Sequence, residues 1–285
     1  MARLLEGRPI AEKIRGQIRK EVGLLENKPV LACIQIGDNP GASAYVKSQT
    51  KAAEGLGIIY QLHKLSPDIS ESSLIELISK LNLDKAVNGI IIQMPLPAHI
   101  DYKKISQFIS PEKDVEGIHP MNIGKIVFGQ ARLKPCTPAA VMELLDSCAV
   151  DLYGKEVVIV GHSEIVGKPL SLLLLDRFAT VTVCHIGTSK AGKLEEHVKK
   201  AEVLIVAVGK PELIKGDWVR EGAIVIDVGI NRVRDKIVGD VEFDTAFARA
   251  SWITPVPGGV GPLTVTMLMR NLLDAFKVAA NKQAK

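Results

Sequence analysis

No apolar run in the 285 residues approaches the ~20 that span a bilayer; the longest, Leu170 to Leu175, falls far short, so no membrane segment is expected. Met1 to Ile10 alternates charged with apolar residues and lacks the apolar core of a signal peptide, which predicts a cytoplasmic location. There is no block of five or six like charges, and the formal net charge of +4 is small for the length, so a nucleic-acid partner is not expected. The cysteines at 33, 136, 148 and 184 lack CxxC spacing, which argues against a zinc site and a disulfide framework; they read as buried thiols. Internal repeats and low-complexity segments are absent as well.

What is present is the composition of a folded chain, 47% apolar and 24% charged, long enough for two domains. Apolar periodicity alternates between helix and strand, the pattern of an α/β protein with parallel sheets. In the first half, helical spacing over Ile10 to Leu25 precedes the buried-strand run Val30 to Ile36. A turn at Asp38 to Gly41 leads to a helix ending near Glu54, with Ser43 as a candidate cap. Strands at Ile58 to Leu65 and Gly89 to Gln93 flank a helix over Ser70 to Leu81. Ser110 to Pro138 has little periodicity and holds the expected domain boundary. A helix over Thr137 to Cys148 opens a second series with strands at Val157 to Val160, Thr180 to Cys184, Val203 to Ala207 and Ala223 to Asp227. The last helix is predicted over Pro262 to Ala280, with Pro262 at its first position and fraying from Ala279 to Lys285.

Val157 to Leu170 reads as buried strand, glycine turn and apolar helix. A helix N-terminus in that context offers unpaired N–H groups and partial positive charge to a pyrophosphate. The glycine pattern is irregular: Ser163 stands at the second glycine position and Gly167 comes one residue late, so a tight strand–helix turn without ligand is the other reading. No carboxylate ends the following strand, where one would bind ribose hydroxyls and repel a 2′-phosphate. Hydroxyls and Lys190 stand there instead, which favours NADP. Two more strands end in glycine, at Val208-Gly209 and Gly229-Ile230, and fit a crevice at the carboxyl edge of a sheet; plain close packing is the alternative.

Several segments carry a wider resemblance: Gly37 to Pro40 with Ser43, Tyr45 and Val46; Gln93-Met94-Pro95-Leu96-Pro97; Pro111 to Pro120; Pro135-Cys136-Thr137-Pro138; and Pro255-Val256-Pro257-Gly258-Gly259-Val260-Gly261-Pro262. Together they resemble the bifunctional methylenetetrahydrofolate dehydrogenase/methenyltetrahydrofolate cyclohydrolase family across nearly the whole chain. The resemblance implies two α/β domains, a folate-binding catalytic domain over 1–140 plus 265–285 and a Rossmann-like parallel sheet over 141–264. It also implies that the C-terminal helix packs back on the first domain, and a homodimer. It implies oxidation of 5,10-methylenetetrahydrofolate to the methenyl form with NADP, or NAD, and hydrolysis to 10-formyltetrahydrofolate. By the same resemblance, Tyr45, Gln49, Gln93 and Glu116 occupy catalytic positions. Pro95, Leu96, Pro257, Gly258 and Gly259 join Tyr45, Gln93 and Glu116 around the folate. Gly161, His162, Ser163, Ile165, Val166, Gly167, Ile186, Val208, Gly209 and Ile230 fall at the cofactor, with no metal.

Read as residues alone, Tyr45 is a stacking shelf for a flat pterin or a core tyrosine, Gln93 a ligand group or a loop anchor, and Asp114 a structural turn residue. Two positions depart from the family. The resemblance implies a lysine four residues after the tyrosine, and this chain has Gln49, an amide that cannot titrate. Lys47 and Lys51 lie about 200° and 240° around the helix from Tyr45 and cannot replace it. Glu116 stands where an aspartate is implied, keeping a carboxylate on a longer arm. The expectation is a dehydrogenase with weak or absent cyclohydrolase activity. NAD stays open as cofactor because Ile186 offers a 2′-phosphate nothing and a neutral His162 little. The rivals are a non-catalytic folate-binding paralogue and a shikimate- or amino-acid-type dehydrogenase.

Overall fold

The computed structural model describes residues 1–234 and 236–283. In chain order the elements are β1 (Arg3–Leu4), α1 (Gly7–Gly23), β2 (Val30–Ile36), α2 (Pro40–Glu54), β3 (Ile59–Leu65), α3 (Glu71–Leu83), β4 (Gly89–Ile92), α4 (Tyr102–Ile105) and α5 (Pro120–Val127). There follow α6 (Cys136–Ser147), β5 (Glu156–Val160), α7 (Gly167–Leu175), β6 (Thr180–Cys184), α8 (Ile186–Lys190), α9 (Leu194–Lys200), β7 (Val203–Val206) and β8 (Ile224–Asp227). The chain closes with β9 (Asn231–Val233), β10 (Lys236–Val238), α10 (Phe243–Arg249), β11 (Trp252–Ile253) and α11 (Val260–Gln283). The contacts define two units, Lys13–Cys136 with the chain from Val265 onward, and Met1–Glu12 with Thr137–Thr264. Among the described residues no helix is long and apolar enough to cross a membrane.

The first of these units is built on a parallel sheet ordered β3-β2-β4. All seven residues of β2 are buried, as a central parallel strand covered on both faces requires, whereas the edge strand β3 carries polar Gln61, His63 and Lys64. Ile34, Ile90, Leu74 and Ile78 meet in its core, each burial removing apolar surface worth ~1.5–3 kcal/mol. Asn39 caps α2 by accepting from the Gly41 and Ala42 N–H groups. The expected cap Ser43 lies inside the helix instead, its hydroxyl accepting from the Gln35 amide at 3.1 Å and so tying α2 to β2. From α11, the buried Asn271 amide donates to the Val115 and Lys134 carbonyls at 2.8 Å each, and Arg270 and Lys277 pair with Glu21.

The second unit is a six-stranded sheet ordered β1-β11-β8-β7-β5-β6, every neighbouring pair parallel, with a β9–β10 hairpin beside it. Here the N-terminus departs from the expected division: β1 pairs with β11, and residues 1–12 belong with this sheet. A two-residue strand leaves no periodicity to read. The last helix also starts earlier than expected, at Val260, so Pro262 sits within its first turn and not at its first position; it continues to Gln283, and 284–285 lie outside the described residues. Cys33 and Cys184 are buried, but Cys136 and Cys148 are only half-buried, which corrects the expectation for those two thiols. The Met94–Pro95 and Val256–Pro257 peptide bonds are cis.

Candidate functional site

In the three-stranded sheet the chain leaves β2 toward β3 on one side and reaches β4 on the other. The carboxyl ends of β2 and β4 therefore form the point where strand order reverses, and such points hold ligands in open α/β sheets. Gln93 follows β4 directly, its N–H bonded to the Ile34 carbonyl, and α2, which follows β2, brings Tyr45 and Gln49. Tyr45 is 55% exposed, so it is no core tyrosine. Gln49 is buried, and its Oε1 accepts from Gln93 Nε2 at 2.8 Å and from the Tyr60 hydroxyl at 2.9 Å. Gln93 is thus joined to Gln49 and does not anchor a loop by its side chain. Cys33, on β2, feels Tyr60 and Gln93, and burial raises its thiol to about 11; burial, then the Cys33 charge, raises the Tyr60 hydroxyl too.

Glu116 belongs to the same neighbourhood, since its charge is felt by Cys33. Burial, reinforced by the Asp114 charge, lifts its carboxyl from the ordinary 4.5 to about 7, against the opposing hydrogen bond from the Tyr102 hydroxyl at 3.3 Å. Asp114 is buried and structural: it accepts from the Gly117 and His119 N–H groups and from the Asn122 amide, at 3.1, 2.7 and 2.8 Å. Gly117 has φ +72° and a Cβ there would meet the Lys134 carbonyl carbon at 2.4 Å, so the turn that aims Glu116 needs glycine. Pro95 is exposed, and Leu96 packs on the core beneath.

The six-stranded sheet reverses between β6-β5 and β5-β7, and its ligand crevice lies at the carboxyl ends of β5 and β7. A cavity of about 380 Å³ opens there, lined in part by Gly161, His162, Ser163, Ile186 and Val208. Backbone crowding explains two glycines: a Cβ on Gly161 would meet the Ala207 carbonyl oxygen at 2.3 Å, and one on Gly167 the Gly161 carbonyl oxygen at 2.0 Å. No side chain of the N-cap residue caps α7, and its first N–H groups are largely satisfied within the chain: Lys168 donates to the Ser163 carbonyl at 3.0 Å, Leu170 to the Val166 carbonyl at 2.9 Å, and Pro169 has no N–H, so Gly167 carries the remaining donor of this turn. Ile165, Ile186, Val208 and Ile230 are all exposed, an unusual concentration of bare apolar side chains at one sheet edge. Ile165, Val166, Gly167, Gly209 and Ile230 are not among the cavity's lining residues, and neither is Lys190.

His162 and His185 stand 5.0 Å apart, and His185 caps α8 by accepting from the Gly187 N–H. Pro257, Gly258 and Gly259 belong to this unit as well. The Gly258 carbonyl accepts from the Gly7 N–H at 3.0 Å, and a Cβ on Gly7 would meet the Gly259 carbonyl oxygen at 1.9 Å.

Residues 5–116 match the profile of the tetrahydrofolate dehydrogenase/cyclohydrolase catalytic domain, and residues 135–280 that of the same family's NAD(P)-binding domain. The chain belongs to the tetrahydrofolate dehydrogenase/cyclohydrolase family. A bifunctional protein FolD of Geotalea uraniireducens is 52% identical over 97% of this chain and 99% of its own. The bifunctional FolD of Campylobacter jejuni superposes with a TM-score of 0.94 at 43% identity, covering 99% of this chain and 100% of that one. The Trypanosoma brucei FolD, solved with NADP and an inhibitor, superposes at 0.93 with 38% identity over 98% of each chain. The second unit is therefore a Rossmann-like NAD(P)-binding domain, and the family is one of bifunctional dehydrogenase/cyclohydrolases.

Sequence reading of the family pattern did not single out Tyr60, Cys33 or Tyr102, which complete the network around Gln49 and Glu116. Tyr60 lies on the edge strand next to β2, and no local pattern signals that its hydroxyl reaches α2. His185, beside the glycine turn's histidine, follows its strand directly and belongs to no local motif.

Proposed function

We propose that this chain oxidises 5,10-methylenetetrahydrofolate to 5,10-methenyltetrahydrofolate with NADP, as a cytoplasmic homodimer, and that its hydrolysis of the methenyl product to 10-formyltetrahydrofolate is weak or absent. The observation that carries this reading is the Gln49 network. Gln93 and Tyr60 both donate to Gln49, with Cys33 beside them; Gln49 and Gln93 are amides, and burial holds the Tyr60 and Cys33 protons in place at neutral pH. Such a cluster can orient a substrate by hydrogen bonds. Around position 49 it offers no group that takes up and returns a proton at pH 7, which water attack on the methenyl carbon requires and hydride transfer does not; the titrating carboxyl of Glu116 is assigned to the pterin amino group.

On this reading Tyr45 presents its ring to the pterin face, and Glu116, once ionised, accepts hydrogen bonds from the pterin's amino group. Pro95 and Leu96 border the ring. The Rossmann-like unit fits a dinucleotide: the Gly161–Gly167 turn lets a pyrophosphate approach main chain, the Gly167 N–H opens α7 beside it, and the exposed Ile165, Ile186, Val208 and Ile230 give apolar cover. When bound, the dinucleotide supplies the hydride acceptor. The chain's own contribution is alignment and exclusion of water.

NADP is favoured because β6 ends without a carboxylate and His162 and Ser189 line the cavity beside the strand end. NAD has one observation in its favour, the exposed Ile186 at the same edge. Initial rates with methylenetetrahydrofolate at equal NADP and NAD concentrations test the proposal: faster reduction of NADP supports it, and faster reduction of NAD reverses the cofactor assignment. Tight folate binding with reduction of neither would make the chain a non-catalytic folate-binding paralogue.

A further inference from the structure

The loop after β7 looks like an anion-binding turn: Val208, Gly209 and Lys210 present three consecutive N–H groups, and Gly209 sits at φ +66° with open space around it. All three are already taken by a side chain of the protein. Val208 and Gly209 donate to Asp240 Oδ2 at 2.7 and 2.9 Å, and Lys210 to Oδ1 at 2.9 Å; the Asn231 amide adds a fourth bond at 2.8 Å. Asp240 is completely buried, and every one of these donors is an N–H group.

Its main chain is fixed in turn. Asp227, at the end of β8, accepts from the N–H groups of Gly229, Asp240 and Val241 at 2.9, 3.0 and 2.8 Å. Two glycines make room for the two carboxylates: a Cβ on Gly229 would meet Asp240 Cγ at 2.2 Å, and one on Gly239 would meet Asp227 Oδ2 at 1.9 Å.

We infer that Asp240 is a positioning residue for the dinucleotide, a built-in anion that occupies the N–H nest of the β7 loop and locks that loop to the strand carrying Asn231, next to Ile230. A buried carboxylate holding three charge-assisted bonds and a fourth from an amide fixes two of the cofactor-facing loops at once. The corollary concerns how the loop meets its ligand. With its N–H groups committed internally, it contacts the dinucleotide through the Val208 side chain and its carbonyls, and phosphate recognition is left to the Gly161–Gly167 turn.

This inference rests on the reading of the cavity as the dinucleotide site, so NADP binding to the wild-type protein is measured first by titration calorimetry. Absence of binding by NADP, and by NAD in a parallel titration, would sink that reading, while amide exchange still tests the clamp. In the ligand-free wild type, the amides of 208–210 are expected to be strongly protected from hydrogen exchange, and to gain little when NADP is added. Free exchange, or protection that arises only with NADP, would overturn the inference.

In the full-length enzyme, Asp240→Asn is expected to raise the KM for NADP about tenfold or more while kcat changes by less than about threefold and folate affinity is kept. An unchanged KM, or a fall in kcat alone, would contradict it. Should that variant fail to fold, Gly229→Ala, which crowds the same carboxylate from outside, is expected to show the same split between KM and kcat.

Discussion

The two sheets place their ligand crevices by the same rule and build them from different material. In each, a central strand sends the chain to one side and receives it back on the other, and the candidate site lies at the carboxyl ends of the diverging strands. Around β5 and β7 main chain does much to shape the walls, with apolar cover from Ile186 and Val208: glycines whose Cβ atoms would strike carbonyl oxygens at 2.0–2.3 Å, and N–H groups gathered by Asp240. Around β2 and β4 they are side chains: Tyr45, Gln49, Gln93, Tyr60 and Glu116, several bonded to one another. A crevice of main chain suits a large anionic cofactor that needs close approach and little chemistry from its host. One of side chains suits a substrate whose reaction depends on which groups can hold or move a proton.

The largest expected effect tests whether the side-chain crevice lacks only a titrating group at position 49. Replacing Gln49→Lys should raise the rate of methenyltetrahydrofolate hydrolysis by ~10²-fold or more, the usual contribution of a positioned acid–base group. A stopped-flow record of methenyl absorbance reads it, and an unchanged rate would break the contrast. Next comes the main-chain crevice. Gly161→Ala, forced against the Ala207 carbonyl at 2.3 Å, should weaken NADP binding by ~10–100-fold, as 1–3 kcal/mol of overpacking implies. Folate affinity, measured by fluorescence quenching, should stay within a factor of about two.

A smaller effect concerns pH. Because the Glu116 carboxyl sits at about 7, it is largely neutral below that value and becomes the pterin-binding carboxylate above it, so the folate KM should fall as pH rises through about 7. The linked stability has the opposite sign. A raised carboxyl pKa contributes fully below its ordinary 4.5, and that contribution is lost as pH climbs through about 7. Glu116→Gln should flatten both profiles, the first in KM measurements and the second in melting curves. Smallest is Tyr60→Phe, which removes one half-buried hydrogen bond to Gln49 and should cost about 1 kcal/mol in denaturant unfolding with little change in NADP affinity.

The contrast between the crevices also explains what could be read from the residues alone. Strands β2, β5 and β7 declare themselves by unbroken apolar runs, because a parallel strand covered on both faces must be apolar throughout. The glycine turn after β5 was legible because backbone crowding excludes every other residue. The place of Gln49 and Gln93 among the catalytic positions was legible through the family pattern, but the Tyr60 hydroxyl and the Cys33 thiol beside them were not. They arrive by pairing between β2 and β3, and nothing in the local sequence fixes which side chains of adjacent strands converge. Asp240 escaped for a similar reason: its partners at 208–210 lie ~30 residues earlier, and a single aspartate after a glycine reads as an ordinary turn. Strands β1 and β11 were missed because two residues carry no period.

One assay bears most directly on the division of labour proposed for the two crevices. With purified protein, NADP and methylenetetrahydrofolate, reduced dinucleotide and methenyltetrahydrofolate are followed together. The account predicts that both rise in equal amounts and that the methenyl signal then decays no faster than in buffer alone. Reduced dinucleotide accumulating while the methenyl signal stays low, drained to the formyl product faster than spontaneous hydrolysis allows, would contradict it.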